Sequence, residues 1–324
     1  MFAVNVTKKH QTMKRICLYA MLFLFTGTAF VSCSQSDDFD PFEHQTTGEF
    51  NPSTVTFRKS NDNMDIVETW SNIVRNHKNE IVSYEYTREI KGDIQETEKR
   101  KCTIDYFKDH TGRDVIRANS DVEFYKRNSD GITEEYKEKI LENISLNKNG
   151  YIESIAVTTD RFNDGSEVPV TSTSLRTFKY SNNLCTSSVY NDDSKTITYN
   201  YNWSEYQLKN ITILKESRNN NTVEYNTYDY TYDKKSYYDY SGTEIMPFVQ
   251  SGLPQIYASM GYLGKCTPYI LTGEIQGGYT KFAGITTENP QIKNSYNFDI
   301  DPSNKVVYSG ISNIYNNYSI TFNK

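Results

Sequence analysis

The chain has 324 residues, with Lys+Arg 35 against Asp+Glu 41 and a net charge of −6. This acidic, polar balance argues against a nucleic-acid partner and against electrostatic adsorption to anionic membranes. The 27 Tyr and 16 Phe, with abundant Thr and Ile and little Ala, favour strands over helices.

Read from Met13, the N-terminal segment has the form of a lipoprotein signal. Lys14 and Arg15 supply a positive n-region, and the run Ile16 to Val31, interrupted only by Thr26, Gly27 and Thr28, supplies an apolar h-region. The run is near the lower limit for spanning a bilayer, roughly 17 residues. Small Ser32 precedes Cys33, so cleavage leaves an N-terminal thiol that can carry a diacylglycerol. Residues 1–32 are therefore read as signal peptide, with the true start at Met13 and Cys33 as the lipidation site. The competing reading is an ordinary transmembrane anchor or secretory signal with Cys33 incidental. Removing residues 1–32 deletes Lys8, Lys9, Lys14 and Arg15 and no acid, which takes the charge from −6 to −10. The lipid on Cys33 is then the expected membrane contact.

Residues 33–55 lack regular periodicity and read as a lipidated, flexible tether. Within them Ser34-Gln35-Ser36-Asp37-Asp38-Phe39-Asp40 resembles the acidic export tag that carries Bacteroidetes lipoproteins to the outer face of the outer membrane; a solvated tether is the alternative. The expected location is the outer membrane, lipid-anchored and facing the surface rather than the periplasm. Cys17 leaves with the signal, and Cys102, Cys185 and Cys266 remain, an odd number at irregular spacings. One disulfide with a leftover thiol and no disulfide at all are both open. There is no Cys-x-x-Cys, so no zinc ribbon or thioredoxin-type site is indicated.

From residue 56 to 324 the chain reads as strands. Period-two pairs recur at Tyr84 and Tyr86, Val122 and Phe124, Ile144 and Leu146, Phe178 and Tyr180, Tyr199 and Tyr201, Tyr228 to Tyr232, and Ile320 and Phe322. Gly92-Asp93, Asp130-Gly131, Asn149-Gly150, Asp164-Gly165 and Pro302-Ser303-Asn304 supply hairpin turns between them. At Asn149-Gly150 a strict two-residue turn pairs Ile144 with Ile155 but sets Leu146 against Glu153, which predicts a bulge or a longer loop. A weak repeat of an aromatic or aliphatic pair, a polar turn and an apolar strand marks a meander. One stretch breaks the rhythm: Leu253, Ile256, Tyr257 and Met260 fall at helical intervals, with Pro254 suited to a first turn and Gly261 to an end, which predicts a short helical insert near 245–261. The fold expected is all-β, one large antiparallel meander forming a curved sheet or a partly open barrel.

Tyr230-Thr231-Tyr232-Asp233, the apolar insert Met246-Pro247-Phe248 through Tyr262-Leu263-Gly264-Lys265, and the closing Tyr296-Asn297-Phe298-Asp299 hairpin together resemble an uncharacterised family of Bacteroidetes outer-membrane lipoproteins with a porin-like fold. The resemblance is clearest over residues 140–324. It implies a curved antiparallel sheet and no assigned catalytic residues. A membrane-embedded wall is not expected, because Glu134-Glu135-Tyr136-Lys137-Glu138-Lys139 puts charge on both strand parities where a lipid-facing band needs uncharged residues.

Chemistry-bearing motifs are scarce. His44, His77 and His110 are far apart, and there is no His-Glu-x-x-His, no Gly-x-Ser-x-Gly and no phosphate-cradling Gly-rich loop. Asp299-Ile300-Asp301-Pro302-Ser303-Asn304 resembles a calcium loop but lacks the required Gly and distal Glu, and reads as a polar turn. No metal or cofactor is expected. The strongest candidates are aromatic: Trp203, Tyr225, Tyr228, Tyr230, Tyr232, Tyr237, Tyr238 and Tyr240 could present flat faces for sugar stacking, against the alternative that they pack in cross-strand pairs. Isolated Trp70 reads as core. The sequence thus points to a non-catalytic envelope lipoprotein that binds a glycan or another extracellular polymer. The alternatives are an assembly partner docking a β edge onto an outer-membrane protein and an unrecognised glycoside hydrolase.

Overall fold

A computed structural model describes residues 53–61, 63–131, 133–163, 166–204, 207–237, 257, 261–264, 269–301, 305–312 and 317–323. Cys33, most of the tether, Tyr238, Tyr240, Cys266, the turns at 164–165 and 302–304, and most of the 245–261 insert lie outside these residues.

The chain is one antiparallel meander of sixteen strands: β1 (Thr54–Asn61), β2 (Met64–Arg75), β3 (Ile81–Gly92), β4 (Gln95–Lys108), β5 (Asp114–Arg127), β6 (Thr133–Leu146), β7 (Ile152–Asn163), β8 (Val170–Ser181), β9 (Leu184–Asn191), β10 (Lys195–Ser204), β11 (Gln207–Ser217), β12 (Val223–Tyr237), β13 (Tyr269–Phe282), β14 (Ile285–Asp301), β15 (Lys305–Ser312) and β16 (Asn317–Asn323). Each strand pairs with its sequence neighbours, and β1 also pairs with β16, so the sheet closes on itself. The seam sets Val55 opposite Phe322 and Phe57 opposite Ile320, apolar residues in step on both strands. The expected curved or partly open sheet is thus completed by its first and last strands. Closure removes the unpaired strand edges that would otherwise invite aggregation.

Alternation sorts the wall into two faces. On β5, Ile116, Ala118, Ser120 and Val122 are buried while Arg117, Asn119, Asp121 and Glu123 between them are exposed. The buried apolar residues of β1 to β13, with Tyr257 and Leu263, form one core inside the ring. The outer face carries charge in the middle of its strands: Lys99, Glu123 and Lys137 lie in register across β4, β5 and β6, as do Lys101, Asp121 and Lys139. Opposite charges side by side suit a wall in water. A membrane-spanning barrel needs an apolar outer band about 25 Å tall, which these ladders interrupt.

One end of the ring, here the base, holds the start of β1, the end of β16 and the turns after β2, β4, β6 and β8; the opposite end is the rim. At the base the chain uses a repeated turn. Asn76, Asp109 and Asn147 each accept two backbone N–H bonds on the side-chain oxygen, from the residues two and four positions on, at 2.8–3.1 Å. Asn79, Gly112 and Gly150 close these turns with φ of 65°, 82° and 81°, where Asn and Gly are tolerated best. The β8–β9 turn is shorter, with Asn182 and Asn183 both at positive φ as a type I′ hairpin requires. At Asn149-Gly150 the register is Ile144 with Ile155, Ser145 with Ser154 and then Leu146 with Ile152, so a bulge at Glu153 returns Ile152 to the inner face.

A second repeat lies just above these turns. The ladders β3/β4, β7/β8, β9/β10 and β11/β12 stop at Ser83–Thr103, Ser154–Thr177, Ser187–Asn200 and Asn210–Asp229. In each, an aromatic three residues beyond the last pair donates to the carbonyl two residues before it. The four bonds are Tyr106 Oη to Ile81 O (2.8 Å), Tyr180 Oη to Ile152 O (2.8 Å), Trp203 Nε1 to Cys185 O (2.8 Å) and Tyr232 Oη to Leu208 O (2.9 Å). Where the equivalent residue is Leu146, the β5/β6 ladder instead runs on to Val115–Ser145. An unbonded buried carbonyl is costly, so the aromatic donor replaces the lost ladder bond while its ring fills the gap.

The segment between β12 and β13 returns to this end. Tyr257, its one residue described as helical, and Leu263 are buried in the core, and Gly261 sits at φ +74°. Ile152 N donates to Tyr262 O at 2.8 Å, and a side chain at Gly264 would collide with Asn183 O and the Tyr180 ring.

Tyr180→Phe removes only the hydroxyl that serves Ile152, and should lower unfolding free energy by about 1–2 kcal/mol. Tyr125→Phe, on the exposed outer wall, should leave it unchanged. Urea denaturation followed by circular dichroism would read both, and equal effects would show that the carbonyl bond carries no stability.

Candidate ligand-binding site

The inner wall changes character along the barrel axis. Near the base it is apolar and dry: Ile81, Ile144, Ile152, Leu208 and Ile211 are fully buried, each contributing roughly 1.5–3 kcal/mol. Towards the rim the same face becomes half-exposed and polar.

Two rim ladders run across neighbouring strands. The upper one is Glu68, Arg88, Glu98, Phe124 and Tyr136, and the one beneath it is Trp70, Tyr86, Arg100, Val122, Glu138 and Arg161. Arg88 bridges Glu68 at 3.3 Å and also pairs with Glu96, Arg100 pairs with Glu98 at 3.0 Å, and Arg161 pairs with Glu138 at 2.8 Å. Rings are set among the charges. Phe124 and Tyr136 stack with centroids 4.5 Å apart, Arg161 lies 3.9 Å over Tyr136, and Trp70 packs on Tyr86 at 4.9 Å. Flat rings beside fixed donors and acceptors make a surface for a ligand that is apolar on its faces and polar at its edges.

Beyond these ladders, at the boundary of dry and wet wall, Arg176 is only 6% exposed. Its Nε and Nη2 donate to Ser188 Oγ at 3.2 and 3.0 Å, and Ser188 Oγ lies 3.2 Å from Tyr201 Oη. The guanidinium stands 4.3 Å over the Tyr199 ring and 5.5 Å from that of Phe178.

Nearer the base, Glu142 is buried and accepts a 2.5 Å hydrogen bond from Tyr257 Oη. Burial pushes its carboxyl above the usual range, against the pull of the Tyr257 bond and of Arg100. Burial likewise raises Glu68, opposed by Arg88. The Cys185 thiol is pushed up to about 12 by burial, and Cys102 is raised for the same reason, so both are poor nucleophiles. They are free thiols, with no bridge between them. Among the described residues no group of three or more His, Cys, Asp or Glu is placed to hold a metal.

The aromatic candidates of the sequence are divided among different places. Trp203 and Tyr232 serve carbonyls at the base, and Tyr230 is buried in the core. Tyr228 lines the inner face between Ile211 and Gln276, whereas Tyr225 faces outward and stacks on Tyr279 at 5.2 Å. Tyr237 pairs with Tyr269 along the backbone; Tyr238 and Tyr240 lie outside the described residues. Alternation alone separates Tyr225 from Tyr228, Tyr230 and Tyr232. The rim set of Phe124, Tyr136, Arg161 and their neighbours escaped sequence reasoning. Its one signal was the mixed parity of charge around Tyr136, which also marks residues of a wet interior.

Among solved structures the chain is similar to a porin-like protein from Bacteroides uniformis, with a TM-score of 0.44 and 14% identity over 84% of this chain and 95% of that one. No family profile matches the chain, and no curated protein is similar to it.

Glu142 supplies a pH signature. Because the folded state holds its proton more tightly than the unfolded state, its contribution to stability is fully present below the unfolded pKa, roughly 4.3, and is lost as pH rises through the folded value. Glu142→Gln keeps an acceptor for Tyr257 and abolishes the ionisation. The variant should therefore melt above the parent at pH 8, with the difference shrinking or reversing by pH 5. A difference that does not change with pH in thermal melts would mean that Glu142 does not titrate in the folded protein over that range.

Proposed function

We propose that this protein is a non-catalytic lipoprotein of the bacterial outer membrane, held by a diacylglycerol on Cys33 and facing the cell surface, that binds a glycan at the rim of its barrel. The observation that carries this reading is the half-exposed Phe124–Tyr136 stack, with Arg161 over one face and ion-paired carboxylates around it. A sugar ring has an apolar face that an aromatic ring covers and a rim of hydroxyls that charged groups bind. The charged outer wall fits a domain that stands in water, with lipid confined to the N-terminal residue. In the closed ring β1 and β16 pair with each other, which weighs against an assembly partner that borrows a strand edge.

Affinity electrophoresis through gels containing soluble polysaccharides tests the binding. A binding polysaccharide should retard the protein, and Tyr136→Ala should weaken the retardation about tenfold or more, as loss of a central aromatic contact does. Tyr225→Ala, on the outer wall, is the comparison. Retardation lost with Tyr225→Ala and kept with Tyr136→Ala would move the site to the outer face, and no retardation by any polysaccharide would remove the glycan reading.

Anchoring is tested separately, by protease shaving of intact cells with lysed cells and a Cys33→Ala strain as controls. The protein should be digested on intact cells, and Cys33→Ala should release it from the membrane fraction. Protection until lysis would instead put the domain in the periplasm.

A further inference from the structure

We propose that Arg176 is the centre of an oxyanion site, and that the ligand it takes is the carboxylate of an acidic sugar. Identifying the anion as a sugar carboxylate rests on the glycan reading above; the anion site itself does not.

The argument begins from an imbalance of charge. Three other arginines stand on the rim ladders of the inner wall, and each has its carboxylate: Arg88 has Glu68 and Glu96, Arg100 has Glu98, and Arg161 has Glu138. Arg176 is the most buried of the four and, among the described residues, has no carboxylate within 4.0 Å. Its partners are a hydroxyl and two rings. Removing a guanidinium from water without a counter-charge is costly, and such groups are normally paired. Only Nε and Nη2 are engaged, both on one oxygen, Ser188 Oγ. Guanidinium N–H groups in a planar fork match a carboxylate or sulfate, which can accept two of them at once.

Position adds the second argument. In register, Arg176 lies between Ile155 and Tyr190, followed by Ile197, Lys215 and Glu224. Phe178, Ser188 and Tyr199, on the base side, are buried, whereas Ser174, Tyr190 and Ile197, towards the rim, are half-exposed. The charge is therefore set in the floor of the wet part of the wall. Tyr190 beside it is a partly open ring, fixed by its hydroxyl donating to Asp192 at 2.9 Å, and Lys195 Nζ lies 5.9 Å over that ring. A cationic floor with an aromatic ring next to it is the arrangement that a uronic acid, with one carboxylate and one apolar ring face, would fill.

The test uses the full-length protein purified in detergent, titrated calorimetrically with glucuronate, glucose, acetate and sulfate, alongside Arg176→Met and Arg176→Lys. In the parent, glucuronate should bind about tenfold or more tightly than glucose, the size of effect expected of a charge-assisted bidentate contact. Arg176→Met should erase that preference while leaving glucose binding in place, and Arg176→Lys should keep part of it, which separates lost recognition from lost folding. Unequal binding that survives in Arg176→Met, or equal binding of glucuronate and glucose in the parent, would overturn the site while leaving the glycan reading intact. Acetate or sulfate binding that depends on Arg176, with no sugar bound, would keep the anion site and reject the acidic sugar together with the glycan reading. No binding of any of the four would overturn the proposal.

Discussion

The fold depends on satisfying backbone carbonyls where the hairpins splay apart at the base of the ring. A closed sheet bonds nearly every backbone group to a neighbour, but four ladders end before the strands do. The carbonyls of Ile81, Ile152, Cys185 and Leu208 would then face the driest part of the molecule without a donor. Tyr106, Tyr180, Trp203 and Tyr232 supply one each. No other common apolar side chain carries a donor at that reach, which gives a physical reason for part of the chain's high Tyr content. The same need fixes the 257–264 segment, whose Tyr262 carbonyl takes up the Ile152 amide.

Once the base is sealed in this way, the two ends of the barrel differ in kind. The base is filled by aliphatic residues and by Tyr257 and Leu263 from the insert. At the rim the interior has ion pairs and rings that remain partly open to solvent. The chain enters β1 at the base, and the polar rim lies at the opposite end of the strands. A ligand approaching the rim meets rings and paired charges first and the unpaired Arg176 charge at the floor.

Much of the sheet was legible because a strand writes its two faces into alternate residues. Ile144 and Ile155, Phe178 and Tyr180, and Tyr199 and Tyr201 all face inward as their period demands, and the bulge after Asn149-Gly150 is where the clash of Leu146 with Glu153 required one. The Asn182-Asn183 turn and the Asx turns at Asn76 and Asp109 were harder to see, since a lone Asn or Asp becomes a turn signal only when its side-chain oxygen is known to reach the amides two and four residues on. The candidate site was hidden for a related reason. Phe124, Tyr136 and Arg161 sit on three different strands, and only register brings them together.

The sequence by itself determined the period of the strands and the positions of several turns, because each is a property of a few consecutive residues, and the acidic balance, because charge is a plain sum over the chain. Tertiary structure decided which aromatic residues are spent on carbonyls and which remain open to a ligand, and it decided that one buried arginine has no carboxylate beside it. Those properties depend on where ladders stop and on which side chains meet across neighbouring strands. Strand register sets both, and register is fixed by pairing between strands and not by any short run of residues.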